Sequence, residues 1–260
     1  MNEPRISDAN FTMSELKAYY SAASRIVRAS SQESLRVLIH DAFWGPGYWS
    51  GFDPIVNDTA TSPAWLDIDL HNYFAFPPYN NLPHADILEK ICNTSQYLRN
   101  TPSLSPVLVG EWSLETGTAP NASPLGRAAQ SQARRTWFRK LFEAQLAAYS
   151  TYGWYFWTWK TECKSTQIAC DGQKLDQIAI ADDINTWSYR RGIQDGWIPP
   201  DIANTSQLVF PLLANGCVNS SFEYTAPSSP EPQFGRGRPT IELAAWTLLL
   251  TAIACIEVAL

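Results

Sequence analysis

The 260-residue chain carries 19 basic and 25 acidic side chains, a formal net charge of −6, and is 45% hydrophobic. That balance argues against nucleic acid or an anionic membrane as the main partner, and the length allows one domain of up to barrel size with a sizeable core. Eleven tryptophans are many for this length. Indole faces either fill a core or stack on the C–H faces of sugar rings, and composition leaves both readings open.

The chain opens on Asn2-Glu3-Pro4. Thr12-Met13-Ser14-Glu15 has the form of a capping box, so a helix is predicted over about 13–29, with Leu16, Tyr19, Tyr20, Ala23, Ile26 and Val27 facing a sheet. Leu35 to Phe43 reads as a buried strand ending in His40-Asp41-Ala42-Phe43, and 44–62 as loop. Leu66 to Tyr73 alternates, which puts His71 and Tyr73 on one face of a strand. A helix is predicted over 84–98, with Ile87, Leu88, Ile91 and Cys92 inward.

Pro106 to Val109 is a short apolar run stopped by Gly110, the pattern of a buried parallel strand. It delivers Glu111 where barrel enzymes keep their active sites. The strongest helix pattern covers 132–149, its apolar stripe Trp137, Leu141, Ala144 and Ala148, while Arg134, Arg135, Arg139 and Lys140 read as a solvated face. Tyr152 to Glu162 reads as a further strand in which Trp157 and Trp159 share a face.

Six N-x-Ser/Thr sequons, at Asn10, Asn57, Asn93, Asn121, Asn204 and Asn219, favour passage through a secretory pathway. Five cysteines without paired C-x-x-C spacing favour disulfides over metal; Cys163–Cys170 and Cys92–Cys217 are the expected pairs. The domain should occupy 1–217, followed by a Ser/Pro/Gly-rich linker over 218–240 and an apolar tail over 241–260. The 14 charge-free residues from Leu243 to Ile256 fall short of the roughly 18 expected of a spanning helix. A polar spacer before an apolar tail is the arrangement of a glycolipid-anchor signal. A membrane helix and a misread terminal exon are the alternatives, since Glu257 suits neither of the membrane readings.

Asn2-Glu3-Pro4 and Gly110-Glu111-Trp112-Ser113, their carboxylates 108 residues apart, resemble the two catalytic signatures of glycoside hydrolase family 5. From about Asn2 to Cys217 the chain is similar to the fungal exo-β-1,3-glucanase branch of that family. The resemblance implies an α/β fold, an incomplete TIM (β/α)8 barrel running from about the end of the fourth strand through the eighth strand and its closing helix, with the earlier strands missing from a truncated chain. It implies Glu3 as general acid/base and Glu111 as nucleophile, a carboxyl pair about 5 Å apart that specifies retaining hydrolysis. Asn2 would hydrogen-bond the sugar's 2-hydroxyl, and His71 and Tyr73 would position the nucleophile and the ring. Phe76, with Phe74 as the alternative, would flank the exit for the outgoing sugar, and Trp157, or else Trp159, would floor the site. Asp41 and Phe43 would look toward the cleft, while His40 is either part of the motif or a core histidine. Cys92–Cys217 also resembles a disulfide of the family.

No metal or organic cofactor is required by this chemistry. The implied activity is exo-type release of glucose from β-1,3-glucan by a secreted, monomeric protein of the cell wall or surface, attached to the membrane if the tail is an anchor. An endo-β-glucanase of the same clan and a non-catalytic carbohydrate-binding remnant are the alternatives.

Overall fold

The computed structural model describes residues 1–6, 11–30, 35–54, 65–80, 82–101, 105–116, 127–161 and 186–223. Three parallel strands, β1 (Val37–His40), β2 (Leu66–His71) and β3 (Val107–Glu111), lie side by side in chain order. Helix α1 (Met13–Ser30) precedes β1, α2 (His84–Asn100) joins β2 to β3, α3 (Arg127–Tyr149) follows β3, and a short α4 (Tyr189–Gln194) is the last α-helix among the described residues. This is an α/β architecture in which parallel neighbours need helical crossovers.

Local chemistry sets the element ends. The Thr12 amide donates to Glu15 Oε2 at 2.8 Å and the Glu15 amide donates to Thr12 Oγ1 at 3.2 Å, the reciprocal capping box read from the sequence. Helix α1 buries a narrow stripe of Leu16, Tyr20 and Ser24, one helical turn apart, so Tyr19 and Ile26 lie outside it and are exposed rather than facing the sheet. In the sheet Ile68 is the central rung, paired with Ile39 on β1 and Val107 on β3. A register shift between Leu70 and His71 then brings His71 opposite Glu111.

Two apolar clusters flank the sheet. One gathers Leu16, Tyr20, Ile39, Trp49, Leu66 and Ile68; the other packs α2 and α3 on β3 through Ile87, Ile91, Val109, Leu141 and Phe142. Trp112, fully buried, is the hub of the second, meeting Phe142, Tyr149, Trp154 and Phe156 at ring separations of 5.1–5.6 Å. The tryptophans thus divide, with Trp49, Trp112, Trp137 and Trp197 in the core and Trp44, Trp157 and Trp159 exposed.

Two further sequence expectations need correction. The basic face of α3 is not wholly solvated: Arg139 is buried, with its Nε donating to Glu143 Oε1 at 2.6 Å. Glu143 also accepts from the amides of Val209 and Phe210, contacts no helical periodicity could foretell. The run from Tyr152 is not a full strand. It lies parallel to β3 through an isolated bridge between Val109 and Trp154, and then the Thr158 amide donates to the Trp187 carbonyl instead of extending the sheet. The closing helix expected after that run is α4, Tyr189–Gln194. Cys92 and Cys217 form the expected disulfide, closing 125 residues of chain. Cys163, Cys170, most of the linker and the whole tail lie outside the described residues.

Candidate active site

Because the strands are parallel, their carboxyl ends open on one side and deliver polar residues there together. β1 ends in His40 and Asp41, β2 in His71 with Tyr73 two residues on, and β3 in Glu111. Glu3 reaches the same place from the amino-terminal segment, its backbone at φ 44°. Of the residues predicted to act, Asn2, Glu3, His71, Tyr73, Phe76, Glu111 and Trp157 line one open cleft of about 1320 Å³.

His71 is the electrostatic centre. Its Nδ1 lies 2.9 Å from Glu3 Oε1 and 3.4 Å from Glu111 Oε2, while its Nε2 lies 3.4 Å from Asp69 Oδ2. Burial opposes charge on the ring, yet the carboxylates of Asp69, Glu3 and Glu111 outweigh it and push the His71 pKa up to about 9. His71 is therefore an imidazolium at neutral pH, with one ring nitrogen facing both predicted catalytic carboxylates. The Tyr73 hydroxyl donates to Glu111 Oε2 at 2.7 Å. Burial first, and then the Glu111 carboxylate, push that phenol far above its ordinary range, so it stays a donor.

Ligand atoms of Glu3, His40 and His71 fall within 4.8 Å of one another. Both His71 nitrogens already face carboxylates, however, and His40 Nδ1 accepts from the Ala42 amide at 2.9 Å. The set is better matched to holding protons than to holding a cation.

Among curated proteins the chain is 26% identical to a "Probable glucan endo-1,6-beta-glucosidase B" of Aspergillus terreus, over 78% of this chain and 43% of that protein. It is 30% identical to a "Probable glucan 1,3-beta-glucosidase" of Arthroderma benhamiae, over 62% of this chain and 44% of that one. A "Glucan 1,3-beta-glucosidase" of Blumeria graminis is 28% identical with similar coverage. The chain is thus similar in sequence to fungal glucan glucosidases. It spans less than half the length of these relatives. No protein-family profile matches it. Among solved structures it is similar in fold to a rutinosidase from Aspergillus niger, with a TM-score of 0.51 at 20% identity over 75% of this chain and 49% of that one.

Trp159 is not brought to the cleft lining; its ring stacks on Tyr189 at 5.9 Å. Phe74 is buried in the core, whereas Phe76 is half exposed and meets Tyr73 edge-on at 5.6 Å. His40 stands behind the site: it is buried, its ring is edge-on to His71 at 4.3 Å, and burial lowers its pKa to about 4, so it is neutral. Asp41 lines the cleft, but its carboxylate is spent on the loop. It accepts from the Phe43 and Gly45 amides at 2.9 and 3.0 Å and holds Ala42 and Phe43 at φ 57° and 61°. This is the Asx-turn use of an aspartate, and it presents Phe43 and Trp44 to the opening.

Sequence reasoning missed Trp187, which packs on Tyr73 and Phe76 at 5.4 and 6.1 Å. Only the docking of the 186–190 segment on Thr158 and Trp159 places it there, so no local signal was available. It also missed Asp69, although the alternation of β2 that selected His71 and Tyr73 puts Asp69 on the same face.

Proposed function

We propose that this chain carries the catalytic carboxylate pair of a retaining β-glucan hydrolase, with Glu111 as nucleophile and Glu3 as acid and then base. The observation that carries the proposal is the convergence of Glu3 and Glu111 on one ring nitrogen of His71, at 2.9 and 3.4 Å. One nitrogen can face both only if the carboxylates are close, nearer the roughly 5 Å of a retaining pair than the ~6.5–9.5 Å gap that leaves room for an inverting water.

In this mechanism Glu111 attacks the anomeric carbon while Glu3 gives its proton to the departing glycosidic oxygen; Glu3 then takes a proton from water as that water displaces the Glu111 ester. Tyr73 fixes the attacking carboxylate through its 2.7 Å hydrogen bond. The charged His71 lies on the shared side of the two carboxyl groups, where it offsets ionised Glu111 and then Glu3 once that residue has given up its proton. Trp157 and Phe76 offer apolar faces to the sugar, and Asn2 offers an amide to its hydroxyls. Among the described residues the sheet is read as an arc of a (β/α)8 barrel, since its parallel strands follow chain order and its active residues gather at their carboxyl ends.

The proposed substrate is β-1,3-glucan, cleaved from its end to glucose by a secreted protein of the cell surface or wall. An endo-acting reading is the second one, since one relative named for endo-1,6 action aligns with 78% of this chain, although another aligns with 62%, as the 1,3-glucosidases do. Incubating the full chain with laminarin, a β-1,3-glucan, and with pustulan, a β-1,6-glucan, separates them. Glucose as the first product from laminarin, abolished by Glu111→Gln, is expected. Oligosaccharides from pustulan would replace the exo reading by the endo one, and no cleavage of either glucan would leave a carbohydrate-binding remnant.

A further inference from the structure

We infer that Asp69 is a positioning residue for this site, one that holds a second proton on His71 Nε2 and so keeps the ring charged while Nδ1–H faces Glu3 and Glu111. The inference deepens the hydrolase reading and rests on it for its catalytic meaning, but the geometry stands by itself.

The Asp69 carboxylate lies on the far side of the imidazole from the catalytic pair. Its Oδ2 is 3.4 Å from His71 Nε2, while His71 Nδ1 meets Glu3 at 2.9 Å. A neutral imidazole carries one N–H and can choose which nitrogen bears it. Carboxylates on both sides of the ring call for a donor at each nitrogen, Nδ1–H toward Glu3 and Glu111 and Nε2–H toward Asp69, and it is Asp69 that asks for the second proton. The same logic governs a carboxylate behind a metal- or substrate-facing histidine.

Two further features show that the place for this carboxylate is built. Gly110 directly precedes Glu111, and a Cβ there would stand 1.9 Å from Asp69 Oδ1 and 2.8 Å from its Cγ, so the absence of a side chain at 110 is what admits Asp69. Asp69 Oδ1 is itself buried without a hydrogen-bond partner among the described residues. A structural aspartate elsewhere on the strand behaves differently: Asp67, on the opposite reach of β2, is bound by the Arg36 guanidinium. Asp69 has only the imidazole for a cationic neighbour among the described ion pairs.

The charged and titratable groups facing His71 are Asp69 from its own strand, Glu111 from β3, Glu3 from the amino-terminal segment, His40 and Asp41 from the end of β1, and Tyr73 just beyond β2. Removing Asp69 leaves two carboxylates on one side of the ring and none on the other. His71 should then lose its Nε2 proton at lower pH and remain as a neutral ring whose Nδ1–H still faces the two carboxylates.

The test is a titration of the full chain carrying 13C-labelled histidine. Only three histidines are present, so His71→Asn assigns its resonance. The unaltered protein should show His71 titrating well above the ordinary value of about 6.5. Asp69→Asn should lower that midpoint by about one to three units. Gly110→Ala leaves Asp69 in the sequence but displaces its carboxylate, and should lower the midpoint as well. Glu89→Gln, an exposed charge on α2, should leave it unmoved. An unaltered His71 midpoint at or below 6.5, or one that does not move in Asp69→Asn and Gly110→Ala, overturns the inference.

Hydrolysis is read separately. In Asp69→Asn, kcat should fall at least tenfold with KM changed less, and the alkaline limb of the pH profile should move down with the His71 midpoint. A shifted midpoint without any glucan cleavage by the parent chain would sink the hydrolase reading while leaving the proton-holding role intact.

Discussion

Two buried clusters of charge in this molecule are built to opposite ends. Behind α3, Glu143 and Arg139 are almost wholly enclosed, and every oxygen of Glu143 is used: it takes the Arg139 Nε and the amides of Val209 and Phe210, while Arg139 also donates to the Gln207 carbonyl. At the cleft, three carboxylates crowd one imidazole, and polar atoms remain unmatched among the described residues, namely Asp69 Oδ1 and His40 Nε2. A cluster with all its partners supplied internally is a structural tie. One with more acid than base and atoms left over is a place where a reaction can add or remove protons.

The contrast is sharpened most by breaking each cluster in turn. Glu143→Ala strands a buried guanidinium and two amides and is expected to lower stability by about 3–5 kcal/mol, read by urea denaturation. Glu111→Gln should change stability by no more than about 1 kcal/mol while abolishing glucan cleavage. Equal destabilisation by the two would erase the distinction.

The Cys92–Cys217 disulfide, which pins α2 to the segment that follows Glu143's amide donors, belongs with the structural cluster. Opening a loop of 125 residues by replacing both cysteines with serine should cost about 2–4 kcal/mol, with the His71 titration unmoved.

The third expectation concerns pH. His71 has its folded-state pKa raised to about 9, so the stability it contributes is complete below about 6.5 and is lost as pH rises through 9. His40 has its value lowered to about 4, so the folded state resists protonation there and stability falls as pH drops from 6.5 toward 4. Each effect amounts to about 3 kcal/mol at most. Melting temperature should therefore peak near neutrality, and His71→Asn should flatten the alkaline side most, while softening the acid side because the His71 charge also helps hold the His40 value down.

The smallest effect separates the two exposed tryptophans. Trp157→Ala should weaken glucan oligosaccharide binding by about 1 kcal/mol, some fivefold, and Trp159→Ala, outside the cleft lining, should leave it unchanged.

What could be read from the sequence follows the same divide. The capping box at Thr12, the helices from Met13 and His84, the three strands, and the pairing of His71 with Tyr73 are local or periodic, and local chemistry announced them. Glu3 and Glu111 were found because each sits in a short motif, not because any pattern placed them within reach of one ring. Arg139 was misread since a helix face looks solvated until a distant segment, here 207–210, arrives to cover it. Trp187 and the truncated pairing after Trp154 share that cause. Asp69 was legible by alternation but carried no motif, and its role appears only beside Gly110 and His71.

The most direct measurement is to incubate the full chain with 2-deoxy-2-fluoro-β-glucosyl fluoride, whose fluorinated ring slows release of a covalent intermediate, and to map the adduct by mass spectrometry. One fluoroglucosyl group on the peptide bearing Glu111, absent in Glu111→Gln, is expected. A glucosyl group on any other side chain, or an unlabelled protein that nonetheless cleaves glucan, would contradict the retaining pair.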